Sequence, residues 1–319
     1  MRPQTRAGRD MRGPDPLPTA TVPSRSLLIG LIGAGIQASR SPALHEREGE
    51  EQGLRCLYRL IDLDVLGLPA EAVGELLTAA ERMSFAGVNV THPCKQTVIG
   101  TLDRLSPEAE AIGAVNTVVF GKGGRVGHNT DSWGFAESFR RGMSGARLGH
   151  VVQIGAGGAG AAVATAALSL GAETLTIVDH VRDRAEALAT RLGRYAGQRR
   201  ITAETDAQAA LADADGLINA TPMGMAKYPG MPVPAELLRP GLWVADIVYT
   251  PIETALLRAA RQAGCRTLSG GGMAVFQAVE AFRLFTGIVP DAARMLRHFE
   301  TMIAPEPVKT STNHIATGG

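Results

Sequence analysis

The stretch "GVNVTHPCKQ" puts Thr91 just past an apolar run and Lys95 in the first turn of a helix opened by Pro93. A lysine is usually a solvated surface residue, and that reading stays open. The first turn of a helix is nevertheless a poor place for a cation, because the macrodipole concentrates partial positive charge there. Burial acts in the same direction, and both favour the neutral amine that a general base needs. Two further stretches, "AVNTVV" and "GHNTDSWGF", flank "GKGG". Taken as a four-residue hairpin loop, "GKGG" faces Phe120 with Arg125, sets Asn116 opposite Asn129, and leaves Asp131 beyond the open end. Asp131 could cap a helix starting at Ser132, or stand beside Lys95 and oppose the loss of its proton. These residue types fit proton transfer at a hydroxyl group. His92, flanked by Thr91 and Lys95, could touch a ligand, although a local capping or packing role is the simpler reading.

Two glycine clusters each come after an apolar run. "VVQIGAGGAG" matches G-x-G-x-x-G at Gly155, Gly157 and Gly160, and the helix behind it is mostly Ala, Val and Leu. Gly171 stops that helix, "ETLTIV" gives the next strand, and Asp179 ends it. Each part has a physical job in holding a dinucleotide. The first glycine permits a tight turn, the second lets pyrophosphate approach the backbone, and the third lets helix and strand pack. Asp179 would accept hydrogen bonds from ribose hydroxyls and repel a 2′-phosphate, which favours NAD; Arg184 could offset that repulsion. The earlier cluster, "GLIGAG", has the wrong spacing and precedes a charged helix. Just beyond it stand Ser39, Arg40, Ser41 and Pro42. They make either a capped helix start with Pro42 at its first position, or two hydroxyls for a polyhydroxylated or carboxylated ligand.

The elements that must position these groups alternate along the chain. Strands are expected at 27–32, 56–61 and 87–90 with helices at 41–52 and 68–82 between them, then the hairpin and a helix at 132–141. A second series has strands at 151–154, 174–178, 215–219 and 243–248, with a helix at 161–170 after the first, and a last helical pattern at 274–286 returns to the first unit. This is the grammar of α/β folds with largely parallel sheets. With 319 residues the chain can build two domains, and its 38 glycines cluster after apolar runs, as strand-to-helix turns require. A formal charge of +1 argues against nucleic acid or an anionic membrane as the main partner. No run is long and apolar enough to span a bilayer, and the first two dozen residues lack the apolar centre of a secretory signal. Cys56, Cys94 and Cys265 are scattered, which fits a reducing cytoplasm. Histidines at 92, 128, 150 and 180 have no ligand spacing, and "HEREG" at His45 lacks the second histidine of a zinc motif, so no metal is expected.

Taken together, "SRSP", "NVTHPCK", "GAVNT", "GHNTD", "GAGGAG", "NATPMG" and "GGGMAVFQA" resemble the shikimate/quinate dehydrogenase family, in the family's order, from about residue 25 to residue 303. The resemblance implies an α/β enzyme of two domains with the active site in the cleft between them. The first is a mixed α/β substrate-binding domain, discontinuous over 25–130 and 271–304; the second is a doubly wound, Rossmann-type NAD domain at 131–270. Residues 1–24 and 305–319 are expected to be a disordered leader and tail. It further implies reversible hydride transfer between NAD(P) and a ring hydroxyl of a cyclohexane or cyclohexene carboxylate. Carried over by motif, Ser39 and Ser41 would bind the carboxylate and Thr91 a ring hydroxyl. Lys95 would be the acid/base group, Asn116 and Asp131 would hold the reacting hydroxyls, and Tyr249 and Gln277 would complete the pocket. Cofactor contacts would come from Gly155, Gly157, Gly158, Ala159, Gly160, Asp179, Arg184, Thr221, the backbone at Ile247, and Gly270. Asp179-His180-Val181 stands where NADP-using biosynthetic members carry an "NRT"-like stretch, and "THPCK" where they carry "TVPFK". These departures look like the NAD-dependent, catabolic branch that oxidises quinate as well as shikimate, although many quinate-using relatives have Thr in place of Ser41. The alternatives are a dehydrogenase confined to shikimate or an amino-shikimate, including a biosynthetic one that uses NADP, or a silent NAD-binding sensor. A homodimer is compatible with all of them.

Overall fold

The computed structural model describes residues 26–303; the expected leader and the expected tail lie outside the described residues. The chain opens with β1 (Ser26–Gly33), α1 (Ser41–Glu51), β2 (Arg55–Asp62), α2 (Leu63–Leu66), α3 (Val73–Arg82), β3 (Gly87–Val90) and α4 (Cys94–Thr97). It continues with β4 (Arg104–Leu105), α5 (Pro107–Ile112), β5 (Thr117–Gly121), β6 (Gly124–His128) and α6 (Thr130–Gly142). The second series is β7 (His150–Ile154), α7 (Gly158–Leu170), β8 (Thr174–Val178), α8 (Arg182–Gly193), β9 (Arg200–Glu204) and α9 (Ala207–Leu211). Then come β10 (Gly216–Asn219), β11 (Trp243–Asp246), α10 (Ala255–Gln262), β12 (Arg266–Leu268), α11 (Gly271–Thr286) and α12 (Ala292–Ile303).

Two six-stranded sheets result. The first, ordered β2-β1-β3-β5-β6-β4, is parallel at β1, β2 and β3 and turns antiparallel where the β5–β6 hairpin joins β3. The second, ordered β12-β11-β10-β7-β8-β9, is parallel throughout. Both are α/β layers, and the second is doubly wound. In each, the strand order reverses beside the strand that ends in a glycine cluster. These points are β1/β3 and β7/β10, where loops diverge and leave a crevice above the strand ends. Strand burial obeys the same layout. Edge strand β2 alternates exposed and buried residues, whereas central β10 and β11 are buried on both faces.

Several expected details differ. "GKGG" is a two-residue turn, Lys122-Gly123, because Gly121 and Gly124 still pair; Gly124 takes φ +85. The Phe120–Arg125 register holds, and the ladder ends with the Asn116 N–H on the His128 carbonyl. The helix expected at 68–82 is shorter, with a 3₁₀ turn at Ala70–Ala72 ahead of it and α2 earlier still. Ser41, not Pro42, is the first residue of α1. Strands β4, β9 and β12 and helix α12 complete the fold.

Helices α11 and α12 return to the first sheet. Gly134 of α6 meets α11 so closely that a Cβ there would stand 2.7 Å from the Gln277 nitrogen and 2.9 Å from the Met273 oxygen. Helix α12 is fastened to α1 by Glu48, whose carboxylate is 1% exposed and accepts from Arg294 Nε at 2.9 Å and Nη2 at 2.7 Å. The Asp291 N–H and Gln52 Nε2 take further positions on it, each at 2.9 Å. Removing the guanidinium leaves a buried carboxylate short of its counter-charge, so Arg294→Ala should cost about 3 kcal/mol in urea unfolding. Arg283→Ala, which breaks an exposed pair with Glu280, should cost well under about 1 kcal/mol. Equal losses would show that the α1–α12 link is not the stabilising contact.

Candidate active site

The loop between β1 and α1 is built around one carboxylate. Asp62, at the end of β2, accepts from the Gly35 and Ile36 N–H groups at 3.0 Å each, from Gln37 Nε2 at 2.9 Å, and from the Asp64 N–H at 3.1 Å. Burial opposes ionisation of Asp62, but these hydrogen bonds outweigh it and hold the carboxyl below its ordinary value. Gly35 adopts φ +65, and a side chain on Gly33 would collide with the Thr91 methyl. Glycine is needed there because β1 and the turn after β3 touch. The pinned loop presents Ser39 and Ser41, both half-buried. Ser39 Oγ accepts the Ser41 N–H at 3.3 Å, while Arg40, at the N-cap position, makes no side-chain cap. Tyr58 stands below: its hydroxyl donates to Asn89 Oδ1 at 2.8 Å.

The turn after β3 carries Thr91, whose N–H donates to the Ile32 carbonyl at 2.9 Å, and then Lys95. Helix α4 is a single turn, so the macrodipole argument for Lys95 has little force; its partners define it instead. Lys95 Nζ donates to Asp131 Oδ2 at 2.5 Å, and the two side chains are 18% and 9% exposed. The other carboxylate oxygen, Oδ1, accepts from Asn116 Nδ2 at 2.9 Å. Asn116 Nδ2 also reaches Thr130 Oγ1 at 2.9 Å, while Asn116 Oδ1 accepts the Thr130 N–H at 2.8 Å and the Thr117 hydroxyl at 3.0 Å. Asp131 does not cap α6. Asn129 does, accepting the Asp131 and Ser132 N–H groups while donating to the Ala114 carbonyl at 2.9 Å. That frees the Asp131 carboxylate for Lys95.

The second glycine loop lies at the head of β7. Gly155 has φ +102, and a Cβ on it would be 2.7 Å from the Ala220 carbonyl oxygen. A Cβ on Gly160 would strike the Gly155 carbonyl, so α7 packs directly on its own turn. Gln153 Nε2 braces the Gly155 and Gly160 carbonyls, at 2.9 Å each. Nothing lies within 4 Å of where a Cβ on Gly157 would be, and α7 begins there without a side-chain cap. Open space before uncapped N–H groups of a 13-residue helix fits a pyrophosphate. Gly158 and the half-buried Ala159 form the first turn. A Cβ on Gly158 would stand 3.7 Å from Lys95 Cβ and 3.8 Å from its Cδ, so this loop faces the lysine across the cleft.

Asp179 stands at the end of β8, 7% exposed, and accepts the Ala156 N–H at 2.8 Å and the Val181 N–H at 3.0 Å. Exposed His180 makes a third contact at 3.1 Å. A carboxylate has about four acceptor positions, so ribose hydroxyls can still bind, all the more if His180 swings away. Arg184 is exposed and makes no ion pair among the described residues, so it is not brought to Asp179 here. Thr221 Oγ1 donates to Asn219 Oδ1 at 2.7 Å; the Ile247 N–H donates to the Asn219 carbonyl at 3.1 Å; and a Cβ on Gly270 would strike the Ile247 carbonyl. These three therefore gather above β10 and β11.

Tyr249 belongs to the same cleft. Burial, and after it the Asp131 carboxylate, raises its phenol above the ordinary value, although the residue as a whole is 38% exposed. Gln277 turns its Nε2 onto its own helix at the Ala274 carbonyl, 2.9 Å away, opposite Gly134 and one turn from Asp131. His45 is a core residue between Tyr58, Phe282 and Phe285, and burial lowers it to about 3. Among the described residues, no group of three or more metal-ligating side chains occurs, and no helix is long and apolar enough to cross a membrane.

The geometry is matched by known proteins. The shikimate dehydrogenase substrate binding domain model matches residues 31–118, and the shikimate 5'-dehydrogenase C-terminal domain model matches residues 270–298. The chain is 63% identical over 273 residues to a shikimate dehydrogenase (NADP(+)) of Streptomyces avermitilis, covering 85% of this chain and 94% of that one. This chain belongs to the shikimate dehydrogenase family. It is also 48% identical to a quinate/shikimate dehydrogenase (NAD(+)) of Corynebacterium efficiens, over 86% of this chain and 98% of that relative. Among solved structures, quinate dehydrogenase from Corynebacterium glutamicum in complex with NAD superposes with TM-score 0.82 at 45% identity, over 87% of this chain and 99% of the other.

Asp62, Tyr58, Asn89 and Asn129 were not singled out in the sequence. Asp62 had a signal: it ends the strand after the first cluster as Asp179 ends the strand after the second. Because Asp62 is held below its ordinary 3.8, its stabilisation is complete above that pH and fades as pH falls through the lower folded-state value. Asp62→Asn should therefore melt lower at neutral pH and lose less of its Tm as pH falls from about 4 to about 2. Asp215 and Asp291 are shifted the same way and keep some acid lability in the variant. Parallel melting curves against pH would remove Asp62 from this role.

Proposed function

We propose that this protein oxidises one ring hydroxyl of quinate or shikimate to the 3-dehydro product, reversibly, with NAD. The observation that carries the reading is the Lys95–Asp131–Asn116 cluster, joined at 2.5 and 2.9 Å, directly beneath the Gly158 turn. In this reading residues 25–130 with 271–304 hold the substrate and residues 131–270 hold the cofactor. Ser39 and Ser41 donate to the ring carboxylate, Thr91, Asn116 and Asp131 orient ring hydroxyls, and Tyr249 and Gln277 close the pocket. Gly155, Gly157, Gly158, Ala159 and Gly160 would cradle the pyrophosphate, Asp179 the ribose, and Thr221, Ile247 and Gly270 the nicotinamide end; Arg184 would reach the adenosine side.

Bound NAD supplies a two-electron acceptor for the carbinol hydride. Lys95 Nζ, in its neutral form after releasing its own proton to solvent, takes the hydroxyl proton as the carbonyl forms, and Asp131 pairs with the ammonium that results. The same pair returns the proton in the reductive direction. Asn116 fixes which oxygen of Asp131 faces the lysine, so the acid–base pair is oriented before substrate arrives. Lys95→Ala should lower turnover by about 10²–10⁴ and leave NAD affinity nearly unchanged. Turnover equal to the parent would end the acid–base role of Lys95.

Asp179 supports NAD over NADP because its carboxylate would repel a 2′-phosphate. A second reading, a shikimate dehydrogenase using NADP, is favoured by the name of the Streptomyces avermitilis relative. Rates with NAD and NADP against quinate and shikimate separate the two. Asp179→Ser should raise the NADP/NAD efficiency ratio about tenfold or more, the value of one hydrogen bond to a charged group. The ratio isolates the charge, since loosening the Ala156 turn affects both cofactors alike.

A further inference from the structure

Residues 26–128 and 150–268 face each other through largely apolar contacts. Ile112 and Ala114 are fully buried in one cluster with Ala161 of α7 and Leu188 and Leu192 of α8. Within that contact Arg191 Nη1 donates to the Ile112 carbonyl at 2.7 Å. Among the described residues it is the only hydrogen bond joining those two stretches of chain. The carbonyl belongs to the last residue of α5, where unpaired oxygens favour a cation. Gly113 comes next at φ +68, and a Cβ on it would collide with the guanidinium, so the arginine lies flat across that turn.

The next three residues lead straight into the site. The Ala114 carbonyl holds Asn129 Nδ2 at 2.9 Å, the Val115 N–H donates to the Lys95 carbonyl at 2.8 Å, and Asn116 holds Asp131 at 2.9 Å. Ala114 also faces the Gly158 turn, its Cβ 3.9 Å from where a Gly158 Cβ would stand. We propose that Arg191 is a positioning residue: by tying the 112–116 segment to α8, it sets Lys95 and Asn116 in place against the cofactor loop. Arg191 touches no reacting atom. It acts through a segment that bonds to Lys95 at one residue and to Asp131 at the next.

The inference rests on the proposed dehydrogenase reaction, and its test keeps the two apart. In Arg191→Ala, turnover should fall about tenfold with both Michaelis constants little changed, as a small misplacement of reacting groups demands. The primary deuterium isotope effect on turnover should rise, because hydride transfer becomes more rate-limiting. Arg191→Lys, which keeps one donor for the carbonyl, should recover most of the loss. In the protein without cofactor, amide exchange across residues 113–117 should quicken in Arg191→Ala. Melting temperatures of both variants show whether they are folded, and a purely stabilising arginine would lower Tm without moving the isotope effect. Unchanged turnover, an unchanged isotope effect, or unchanged exchange in that segment overturns the inference. A parent protein that oxidises neither quinate nor shikimate overturns the functional reading instead, and the exchange measurement still decides where Arg191 acts.

Discussion

The amide of Asn116 is the point on which the site is hung. Its Nδ2 donates to Asp131 Oδ1 and Thr130 Oγ1, and its Oδ1 accepts the Thr130 N–H and the Thr117 hydroxyl. One short side chain thus ties the start of β5 to the start of α6, using a donor and an acceptor at the same reach. An aspartate there would face Asp131 with a second charge, and a glutamine would be too long for the same bonds. Asn116 is 3% exposed and Asp131 6%, so water cannot readily replace what a broken bond would lose. Lys95 arrives from a third element and finds a carboxylate whose second oxygen is already fixed. The hairpin serves this arrangement by bringing residue 116 beside residue 129, after which α6 begins at once under the Asn129 cap.

The two glycine clusters answer one structural problem and then diverge. Each ends a strand at the reversal point of its sheet, and each leads through a helix to a strand that ends in aspartate. Asp62 and Asp179 both accept N–H groups from the glycine turn and from the residue two positions beyond themselves. In the first unit the remaining capacity goes to Ile36 and Gln37, so the carboxylate is spent on shaping a longer loop that displays two serines. In the second the turn is short, the space before Gly157 is open, and the helix start is uncapped. The same βα construction therefore yields a hydroxyl-bearing rim in one half and an open, uncapped helix start in the other.

Much of this was legible because it is local. Apolar runs, glycine spacing and strand-end polar groups gave both sheets' central strands and the grouping of Lys95, Asn116 and Asp131 near Gly158. Elements with weak local patterns escaped: β9 reads "RITAE" beside an arginine-rich turn, and β4 has only two residues. Helix α12 is strongly amphipathic and could have been found from its spacing alone. The site partners that escaped act over long sequence distances. Asp62 reaches back to residues 35–37, Tyr58 reaches forward to Asn89, and Arg191 reaches back to Ile112. Nothing in a one-dimensional pattern distinguishes such a residue from a solvated one. Asn129 is the instructive case: Asp131 was the visible cap, but a cap two residues earlier leaves the aspartate free to pair.

Cofactor choice and the acid–base chemistry fall on different elements, yet one carboxylate links them. A relative named for NADP and one named for NAD align with 85% and 86% of this chain, so both cofactor names occur on this one fold. On the proposed reading the acid–base cluster sits on the first sheet and α6, while discrimination falls at the head of β8. Asp179 cannot simply turn aside for a 2′-phosphate, because its two oxygens also hold the Ala156 and Val181 N–H groups. A change that removes both carboxylate oxygens removes the charge and also a brace of the glycine turn that faces Lys95. Selectivity and loop order are thus coupled through one carboxylate. Full efficiency with the other cofactor would call for a second substitution that restores the brace without the charge.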